Sequence, residues 1–391
     1  MSEREEILRE AVDIIAKDYK FTNYNVTVTS ITTGGANYTA VLFLVTVSEV
    51  DKENLELFVK FNIFSEEFCS ELHYRGYELE RFTYTELANI YKAIEDEHKL
   101  AAEDRFVIPQ YYGNPNITKD ILVLENLVAK GYTMLDRFAS IDWEYACKAV
   151  EELAKFHALS IPHRDERSSS FKAAMSRNSG LIYFLESIRN SYPDVVEKAI
   201  DATDDKNKER LRKFVEGTDI YEKHVGYYNP LRRRFIIHGD YRVSNLMHKL
   251  NEDGSILIVP LDYQTIQMGS PVLDLLYFIY TGSDEAFRRE HYERLIDRYY
   301  TELCRALSNL DINSDDVYPR EDYEYDLKEF SDFGLITCMC FLPLITVETE
   351  NAPKVGDDPN EILEFVTPKY SSQFLEKWNG VINNYIEWEI I

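Results

Sequence analysis

The apolar residues in the first part of the chain repeat with two different periods. Helical spacing is present from Glu3 to Tyr19 and again from Glu66 to Ile94. Strand-like stretches, rich in β-branched and aromatic residues, occupy Asn25 to Thr32, Tyr38 to Val47, Leu55 to Phe61, Phe106 to Tyr112 and Ile121 to Leu127. This order predicts one helix and then an antiparallel meander of five strands, interrupted by a second, long helix.

After Leu127 the periodicity becomes mainly helical. Helices are predicted at Trp143 to Leu159, Gly180 to Ala199, Lys206 to His224 and Glu285 to Leu307. Two short apolar strands, Phe235 to Ile237 and Ile256 to Leu261, precede the last of these helices. We therefore expect a bilobal α+β fold, with an N-terminal β-sheet lobe over residues 1–127 and a larger, mainly helical C-terminal lobe over residues 128–391.

Composition narrows the class of protein. The 391 residues include 43 Lys plus Arg against 69 Asp plus Glu, a net charge of −26, so nucleic acids and anionic membranes are poor partners. A hydrophobic content of 45% is enough for a large folded core. The five cysteines are an odd number without paired metal-ligand spacing, which predicts neither a disulfide framework nor a zinc site.

Two further features favour a cytoplasmic protein that does not span a membrane. The segment MSEREEIL is charged where a signal peptide would be apolar. The apolar run from Phe333 to Val347 is shorter than a membrane span and contains Pro343. No obligate protein partner is evident from the sequence.

The segment that starts at the first short strand carries the clearest chemistry. It reads HGDYRVSN, and the second short strand ends in LDYQ, so Asp240, Asn245 and Asp262 follow one another on loops. In kinase-type phosphoryl transfer, one Asp orients the attacking hydroxyl and accepts its proton, while an Asn and a second Asp are oxygen ligands of Mg²⁺. Asp240 is therefore the candidate catalytic base, and Asn245 with Asp262 the candidate metal ligands.

The same chemistry needs a cation on the phosphates of a nucleotide, held by an acid. Lys60 ends the strand LFVK, and Glu80 lies on the long helix after it, where the two can pair. Glu78 and Glu71 on the same helix compete with Glu80 for this role.

Two other segments are candidates for contacts with the nucleotide. Gly34 and Gly35 form a turn between two strands, followed by Asn37, which lets backbone amides approach phosphate. Glu125 and Leu127 lie where the two predicted lobes join, and a backbone edge there can hydrogen-bond an adenine.

A series of motifs now stands in a fixed order between about Gly34 and Phe278, namely GGANYTAV, LFVK, LVLENL, KGYTMLDR, AVEELAKFHALS, HGDYRVSN, LDYQ and SPVLDLLYF. This series resembles the ecdysteroid kinase-like family of small-molecule kinases, within the aminoglycoside phosphotransferase and choline kinase superfamily. The resemblance implies a protein-kinase-like fold, ATP and Mg²⁺ as cofactors, and a small-molecule alcohol as the acceptor, with ecdysteroids or related steroids favoured. It implies the roles given above for Asp240, Asn245, Asp262, Lys60 and Glu80, and it gives Asp274 the role of bracing the catalytic loop.

The chain departs from the family pattern at several positions. Arg242 stands where many family members carry Trp, and Ala36 stands at a loop position that is often acidic. Tyr263 and Gln264 follow Asp262 where protein kinases carry Phe-Gly, so we expect no regulated flip of that segment.

Other functions fit parts of the same pattern. A choline- or aminoglycoside-type kinase would share the motifs, and a catalytically silent nucleotide or steroid binder would share the fold. A protein kinase is disfavoured because A-P-E does not follow LDYQ. For an apolar acceptor, the aromatic residues between about Phe171 and Tyr228 and around Phe341 are candidate walls.

Several conspicuous residues have a simpler structural interpretation. His157, in KFHALS, is expected to pack within its helix, and Met134 and Leu135 are expected in the core. His238 is expected to hold the loop through hydrogen bonds, since the neighbouring Asp serves as the base. The run Arg232 to Arg234 is expected to be a solvated charge run.

Overall fold

A four-stranded antiparallel sheet and one helix form the first part of the fold. The computed structural model describes residues 3–31, 40–62, 75–118, 120–161, 180–229, 232–348 and 370–391. Helix α1 spans Glu3–Asp18, and strands β1 Asn25–Ile31, β2 Ala40–Ser48, β3 Leu55–Asn62 and β4 Ile121–Glu125 pair in the order β1-β2-β3-β4. These five elements confirm the predicted ones, with small differences at their ends.

The two faces of this sheet have different neighbours because side chains alternate along a strand. Val45 of β2 and Val59 of β3 are buried against Val12 of α1. Phe58 and Lys60 of β3 point to the opposite face, where they line a cleft. Helix α1 therefore packs on one face of the sheet, and the opposite face of the sheet lines the cleft.

The long helix α2 consists of three consecutive segments, α-helical Gly76–Phe82, π-helical Thr83–Leu87 and α-helical Ala88–Glu97. The predicted helix starts at Glu66, outside the described residues, and its described part is confirmed. Single π-helical turns within α-helices are rare and are frequent at functional sites.

The predicted strand from Phe106 to Tyr112 is wrong. In this segment the structure has one isolated bridge residue, Tyr111, paired with Leu124 of β4. Pro109 has no N–H to donate, and it interrupts the ladder that a full strand would need. The described sheet accordingly has four strands and an extended segment beside it.

The remainder of the chain is mainly helical. Its described helices are α3 Trp143–Leu159, α4 Gly180–Ser187, α5 Tyr192–Ala202, α6 Asp205–Val215, α7 Ile220–Gly226, α8 Pro271–Gly282, α9 Glu285–Asn309, α10 Ser314–Val317, α11 Arg320–Glu329, α12 Phe333–Ile345 and α13 Ser372–Glu387. Short 3-10 turns lie at Ala102–Asp104, Arg189–Ser191 and Val243–Asn245.

Two of the predicted helices are each divided in two. The helix predicted from Gly180 to Ala199 is interrupted before α5, which begins with Pro193 in its first turn. The helix predicted from Lys206 to His224 is interrupted after α6, where Gly217 has a φ of 72°. The helical segments were therefore predicted correctly, but the break inside each of the two predicted helices was not predicted.

Two small sheets lie among the helices and carry the loops of interest. Strands β5 Thr133–Met134, β7 Leu246–Leu250 and β8 Ile256–Pro260 form an antiparallel sheet in the order β5-β7-β8. Strand β6 Phe235–Ile237 pairs with β9 Gln267–Gly269. The predicted strands at Phe235 to Ile237 and Ile256 to Leu261 are confirmed, so the loops after β6 and β8 both leave from fixed strands.

The fold is the α+β class predicted, with an N-terminal antiparallel sheet, one long helix and a larger helical part. None of the described helices is both long and apolar enough to cross a membrane. The division of the chain between residues 127 and 128 stays a prediction.

The centre of the helical part is α8, in which every residue is buried. Helix α12 packs against it, and Gly334 of α12 faces the ring of Tyr280 of α8. A Cβ on Gly334 would lie 2.1 Å from the ring of Tyr280, and Tyr280 is itself 1% exposed.

We expect Gly334→Ala to lower the free energy of unfolding by about 1–3 kcal/mol, because a buried ring without free space has to move. Denaturant unfolding of the purified variant measures this loss. The control is Gly226→Ala at the end of α7, where an added Cβ meets nothing within 4 Å. Equal stability of the two variants would contradict the tight packing of α12 on α8.

Candidate active site

Lys60 is enclosed by two carboxylates from distant parts of the chain. Its Nζ lies 2.7 Å from Oε2 of Glu80 on α2 and 2.6 Å from Oδ1 of Asp262, which follows β8. Lys60 is 6% exposed and Glu80 is 2% exposed, so this ion cluster is largely shielded from water. The cluster joins the N-terminal sheet, the long helix and the loop after β8.

Burial and charge oppose each other in the ion cluster of Lys60, Glu80 and Asp262. Burial alone lowers the pKa of Lys60, but the charges of Asp262 and Glu80 outweigh it and leave the pKa raised. Burial raises the pKa of Glu80, and Lys60 offsets only part of that effect. Burial also acts to raise the pKa of Asp262, yet Lys60 outweighs it and the pKa is lowered. Asp262 is therefore the more firmly ionised partner of a charged lysine.

The loop between β6 and β7 presents Asp240 next to Asn245. The Nδ2 of Asn245 lies 2.9 Å from the backbone oxygen and 2.8 Å from Oδ2 of Asp240. Because the amide nitrogen of Asn245 faces Asp240, its Oδ1 faces away from that carboxylate. The backbone oxygen of Asn245 accepts the N–H of Leu261 at 2.8 Å, which ties this loop to the residue before Asp262.

A buried carboxylate, Asp274 of α8, holds the backbone of the loop. It accepts the N–H of His238 at 2.6 Å and the N–H of Gly239 at 2.8 Å. Nε2 of His157 lies 3.1 Å from Oδ2 of Asp274, and its Nδ1 lies 2.7 Å from the hydroxyl of Tyr299. Burial lowers the pKa of His157, so the neutral ring donates from Nε2 to Asp274 and accepts the Tyr299 hydroxyl proton.

Two further contacts fix the turn before Asp240. Gly239 has a φ of 79°, and a Cβ there would lie 2.5 Å from the backbone oxygen of Thr265, so the turn requires glycine. Nε2 of His238 lies 2.9 Å from the backbone oxygen of Leu261, and its Nδ1 lies 3.3 Å from the backbone nitrogen of Asp240. His238 thus holds the loop through hydrogen bonds, in agreement with the role expected for it.

A cleft of about 380 Å³ opens beside the ion cluster. Its walls come from the sheet, the long helix α2, the segment around β4, strands β5 and β7, and the two loops. The residues that line it are Ile31, Leu42, Leu44, Phe58, Lys60, Glu80, Tyr84, Pro109, Leu124, Glu125, Asn126, Leu127, Val128, Met134, Ser244, Asn245, Met247, Leu261 and Asp262. Apolar walls with a few charged or amide groups are typical of a site for a small molecule with one polar end.

The structure brings most of the predicted site residues to this cleft. Those that line it are Lys60, Glu80, Glu125, Leu127, Asn245 and Asp262. Asp240 is joined to the cleft through its hydrogen bond from Asn245. Gly34, Gly35, Ala36, Asn37 and Glu71 lie outside the described residues. Glu78, the other competitor of Glu80, is exposed and pairs with Arg75.

The prediction that Met134 is a core residue is wrong. Met134 is 45% exposed and lines the cleft together with Met247. In sequence, an apolar residue that lines a cleft follows the same pattern as one that fills a core. What distinguishes Met134 is the pairing of the two-residue strand β5 with β7, which is a tertiary contact.

The donor set on the two loops fits a magnesium ion. Asp262 offers a carboxylate and Asn245 an amide oxygen turned away from Asp240, and both are the hard oxygen ligands that Mg²⁺ prefers. Among the described residues, no group of three or more His, Cys, Asp or Glu side chains is placed to hold a metal. Two protein ligands suit Mg²⁺, which usually keeps several waters and binds substrate phosphates as well.

Comparison with known proteins places the chain among kinases of small molecules. The sequence model of the ecdysteroid kinase-like family matches residues 34–312. No curated protein matches the chain.

Solved structures similar to this chain include the GDP complex of wild-type aminoglycoside 2'-phosphotransferase-IIIa, at 14% identity and a TM-score of 0.48, with 96% of this chain and 99% of that chain covered. The GDP complex of a point mutant of aminoglycoside 2'-phosphotransferase-IIIa has 13% identity and a TM-score of 0.49, and 97% of this chain and 98% of that chain are covered.

We expect Asp274→Asn to destabilise the protein by about 2–3 kcal/mol, because an amide has one oxygen to accept the hydrogen bonds that two backbone N–H groups now donate to Asp274. We also expect a lower turnover, because the loop that carries Asp240 is displaced. Denaturant unfolding and the rate of ADP release measure the two effects. The control is Asp326→Asn. Asp326 is also a buried carboxylate, but it accepts hydrogen bonds from the hydroxyls of Ser270 and Tyr318, which are not residues of the loop. Unchanged turnover in Asp274→Asn would contradict the bracing role.

Proposed function

The chain belongs to the ecdysteroid kinase-like family, and on that premise we propose that it transfers the γ-phosphoryl group of ATP to an alcohol hydroxyl of a small molecule. It is a phosphotransferase of the small-molecule kinase class. One observation carries the proposal, namely that Lys60, Glu80, Asn245 and Asp262 line a single cleft although they come from four separate segments of the chain.

Each side chain has a part in the proposed reaction. The apolar walls of the cleft take the adenine, with the backbone around Glu125 and Leu127 at its edge, and Lys60 neutralises phosphate charge. Mg²⁺, held by Asn245 and Asp262, would neutralise the charge that develops on the β- and γ-phosphates. Gly34, Gly35 and Asn37 are proposed to cover the phosphates.

Asp240 is the proposed base of the transfer. It orients the acceptor hydroxyl, whose oxygen forms the new bond to the γ-phosphorus while the bond from that phosphorus to the β–γ bridging oxygen breaks. The hydroxyl proton passes to Asp240, and ADP leaves.

Binding of the nucleotide requires an exchange of partners at Lys60. The lysine now contacts both Glu80 and Asp262, and phosphate oxygens would compete with Asp262 for it. Because Glu80 stays beside Lys60, the ammonium keeps one carboxylate and its position, while Asp262 becomes available as a metal ligand.

The acceptor is proposed to be an ecdysteroid or a related steroid or foreign alcohol. Burial, and after it the charge of Asp240, raises the pKa of Tyr277, whose ring lies 6.2 Å from that of Phe341. Burial, followed by the charges of nearby groups including Asp240, also raises the pKa of Tyr228. Aromatic side chains around the proposed base favour an acceptor with an apolar body.

Two alternatives have weaker support. A cationic acceptor such as choline is disfavoured because the guanidinium of Arg242 lies beside Asp240. A silent nucleotide or steroid binder would have little need of Asp240 in addition to the ion cluster. We also propose a cytoplasmic location for this kinase. No obligate protein partner is proposed, since none of these roles needs a second protein.

We expect purified protein to release ADP from MgATP when given the correct alcohol, with the product carrying one added phosphate by mass spectrometry. The acceptor panel contains ecdysteroids, plant sterol alcohols, choline and aminoglycosides. Asp240→Asn is expected to lower turnover by at least about 10³-fold, because the base is lost, while binding of MgATP by calorimetry is retained.

Full turnover by Asp240→Asn would contradict the assignment of the base. If the wild type modifies no acceptor and MgATP does not raise its melting temperature, the silent-binder alternative is favoured in its steroid-binding form. Phosphorylation of choline alone would overturn the steroid assignment and leave the kinase assignment standing.

We expect Asp262→Ala to weaken binding of ATP by about 10- to 100-fold in the presence of Mg²⁺ and to change it much less when EDTA removes the metal, because a metal ligand is lost. Calorimetric titrations of ATP with and without Mg²⁺ measure both values. Asp253→Ala, in the exposed turn between β7 and β8, is the control. An equal loss in both titrations would assign Asp262 a structural role.

A further inference from the structure

The second residue after the proposed base binds the carboxylate of that base directly. Nε of Arg242 lies 3.0 Å from Oδ1 and 3.1 Å from Oδ2 of Asp240. Its Nη1 lies 2.5 Å from the hydroxyl oxygen of Ser244, and its backbone N–H donates to the backbone oxygen of Asp240 at 3.0 Å. The guanidinium is thus anchored to Ser244 through Nη1, while its single Nε–H is shared between the two oxygens of Asp240.

A second group binds the same carboxylate from another side. Nδ2 of Asn245 donates to Oδ2 of Asp240 at 2.8 Å. An ionised carboxylate has about four lone-pair positions. With Nε of Arg242 between the two oxygens and with Asn245 on Oδ2, few orientations of the Asp240 carboxylate keep both contacts.

The charge of Arg242 is retained at this site. Its side chain is 13% exposed, and burial alone lowers its pKa, but Asp240, together with Tyr277 and Asp262, outweighs burial and leaves the pKa raised. Lys60 is bound by Glu80 and Asp262, so it does not serve Asp240. Among the described residues, Arg242 is therefore the cation that contacts the proposed base.

We propose that Arg242 is a positioning residue, which fixes the rotation of the Asp240 carboxylate so that one lone pair faces the acceptor hydroxyl. This proposal rests on the proposed function, because it assigns Arg242 a part in the same transfer. Arg242 acts through Asp240, so its effect falls on the rate of transfer and not on the affinity for nucleotide. A shift of about 1 Å in a reacting group can cost about 10²-fold in rate.

The test compares Arg242→Gln and Arg242→Lys with the wild type. The assay is ADP release from MgATP without an acceptor, in which water takes the place of the alcohol, and it is repeated with an accepted alcohol. We expect Arg242→Gln to lower kcat about 10- to 100-fold, with KM for ATP and the calorimetric Kd of MgATP within about twofold of the wild type. Arg242→Lys is expected to recover part of the rate, because an ammonium keeps the positive charge beside Asp240 but does not reproduce the fixed geometry that binds Asp240 and Ser244 together.

The matched control is Arg233→Gln. Nε of Arg233 lies 3.0 Å from Oδ2 of Asp322, so this variant loses a similar Arg–Asp pair away from the loop, and its kcat is expected to stay at the wild-type value. Melting temperatures of all variants report on folding.

Three outcomes would overturn the proposal. An unchanged kcat in Arg242→Gln shows that Asp240 needs no such partner. A loss of MgATP affinity as large as the loss of kcat assigns Arg242 to nucleotide binding, and an equal fall in Arg242→Lys without recovery assigns it a packing role. If the wild type neither binds MgATP nor releases ADP, the proposed function itself is wrong. If the wild type is active and only the Arg242 variants give one of the three outcomes above, the role of Arg242 alone is wrong.

Discussion

A single buried lysine joins the two parts of this structure. Lys60 comes from the N-terminal sheet, Glu80 from the long helix and Asp262 from the loop after β8, and the three charged groups meet where little water reaches them. Desolvation of three charges costs several kcal/mol per ion, and only close ion pairs offset it. Loss of the lysine would leave two carboxylates facing each other, so the arrangement of sheet, helix and loop depends on this contact.

The ion cluster of Lys60, Glu80 and Asp262 carries one negative charge more than its single cation balances. Burial first, and then the negative charge of Asp262, act to raise the pKa of Glu80, and Lys60 offsets only part of this, so additional positive charge would stabilise the ionised cluster. A metal ion beside Asp262 would supply it, and phosphates would then take the place of Asp262 at Lys60. The electrostatics of this cluster therefore support the proposed binding of a metal nucleotide beside it.

The loop that presents Asp240 is held by a separate network, in which hydrogen bonds replace ion pairs. Asp274 accepts two backbone N–H groups, and the neutral His157 supplies a third donor. His238 ties the loop to the end of β8, next to Asp262. The two networks thus meet at Leu261, beside Asp262, so that hydrogen bonds link the loop of the proposed base to the segment of a proposed metal ligand.

The sequence by itself determined the local elements and the chemical types at the site. Period-two and helical patterns predicted β1 to β4 and α3, because burial on one face imposes these periods on any strand or helix. The HGDYRVSN motif identified Asp240 and Asn245, since their spacing lies within one loop. The strand predicted from Phe106 to Tyr112 was wrong because the pattern ignored the missing donor of Pro109.

Only the tertiary structure decided which groups meet. Glu80 and Glu78 are equivalent in sequence, and the packing of α2 buries the first against Lys60 and exposes the second. Packing decides three further features in the same way. They are the contact between Arg242 and Asp240, the position of Met134 in the cleft, and the pairing of Lys60 with Asp262, 202 positions away. Side-chain direction and long-range proximity arise when separate elements bury their surfaces together, and a local pattern contains neither.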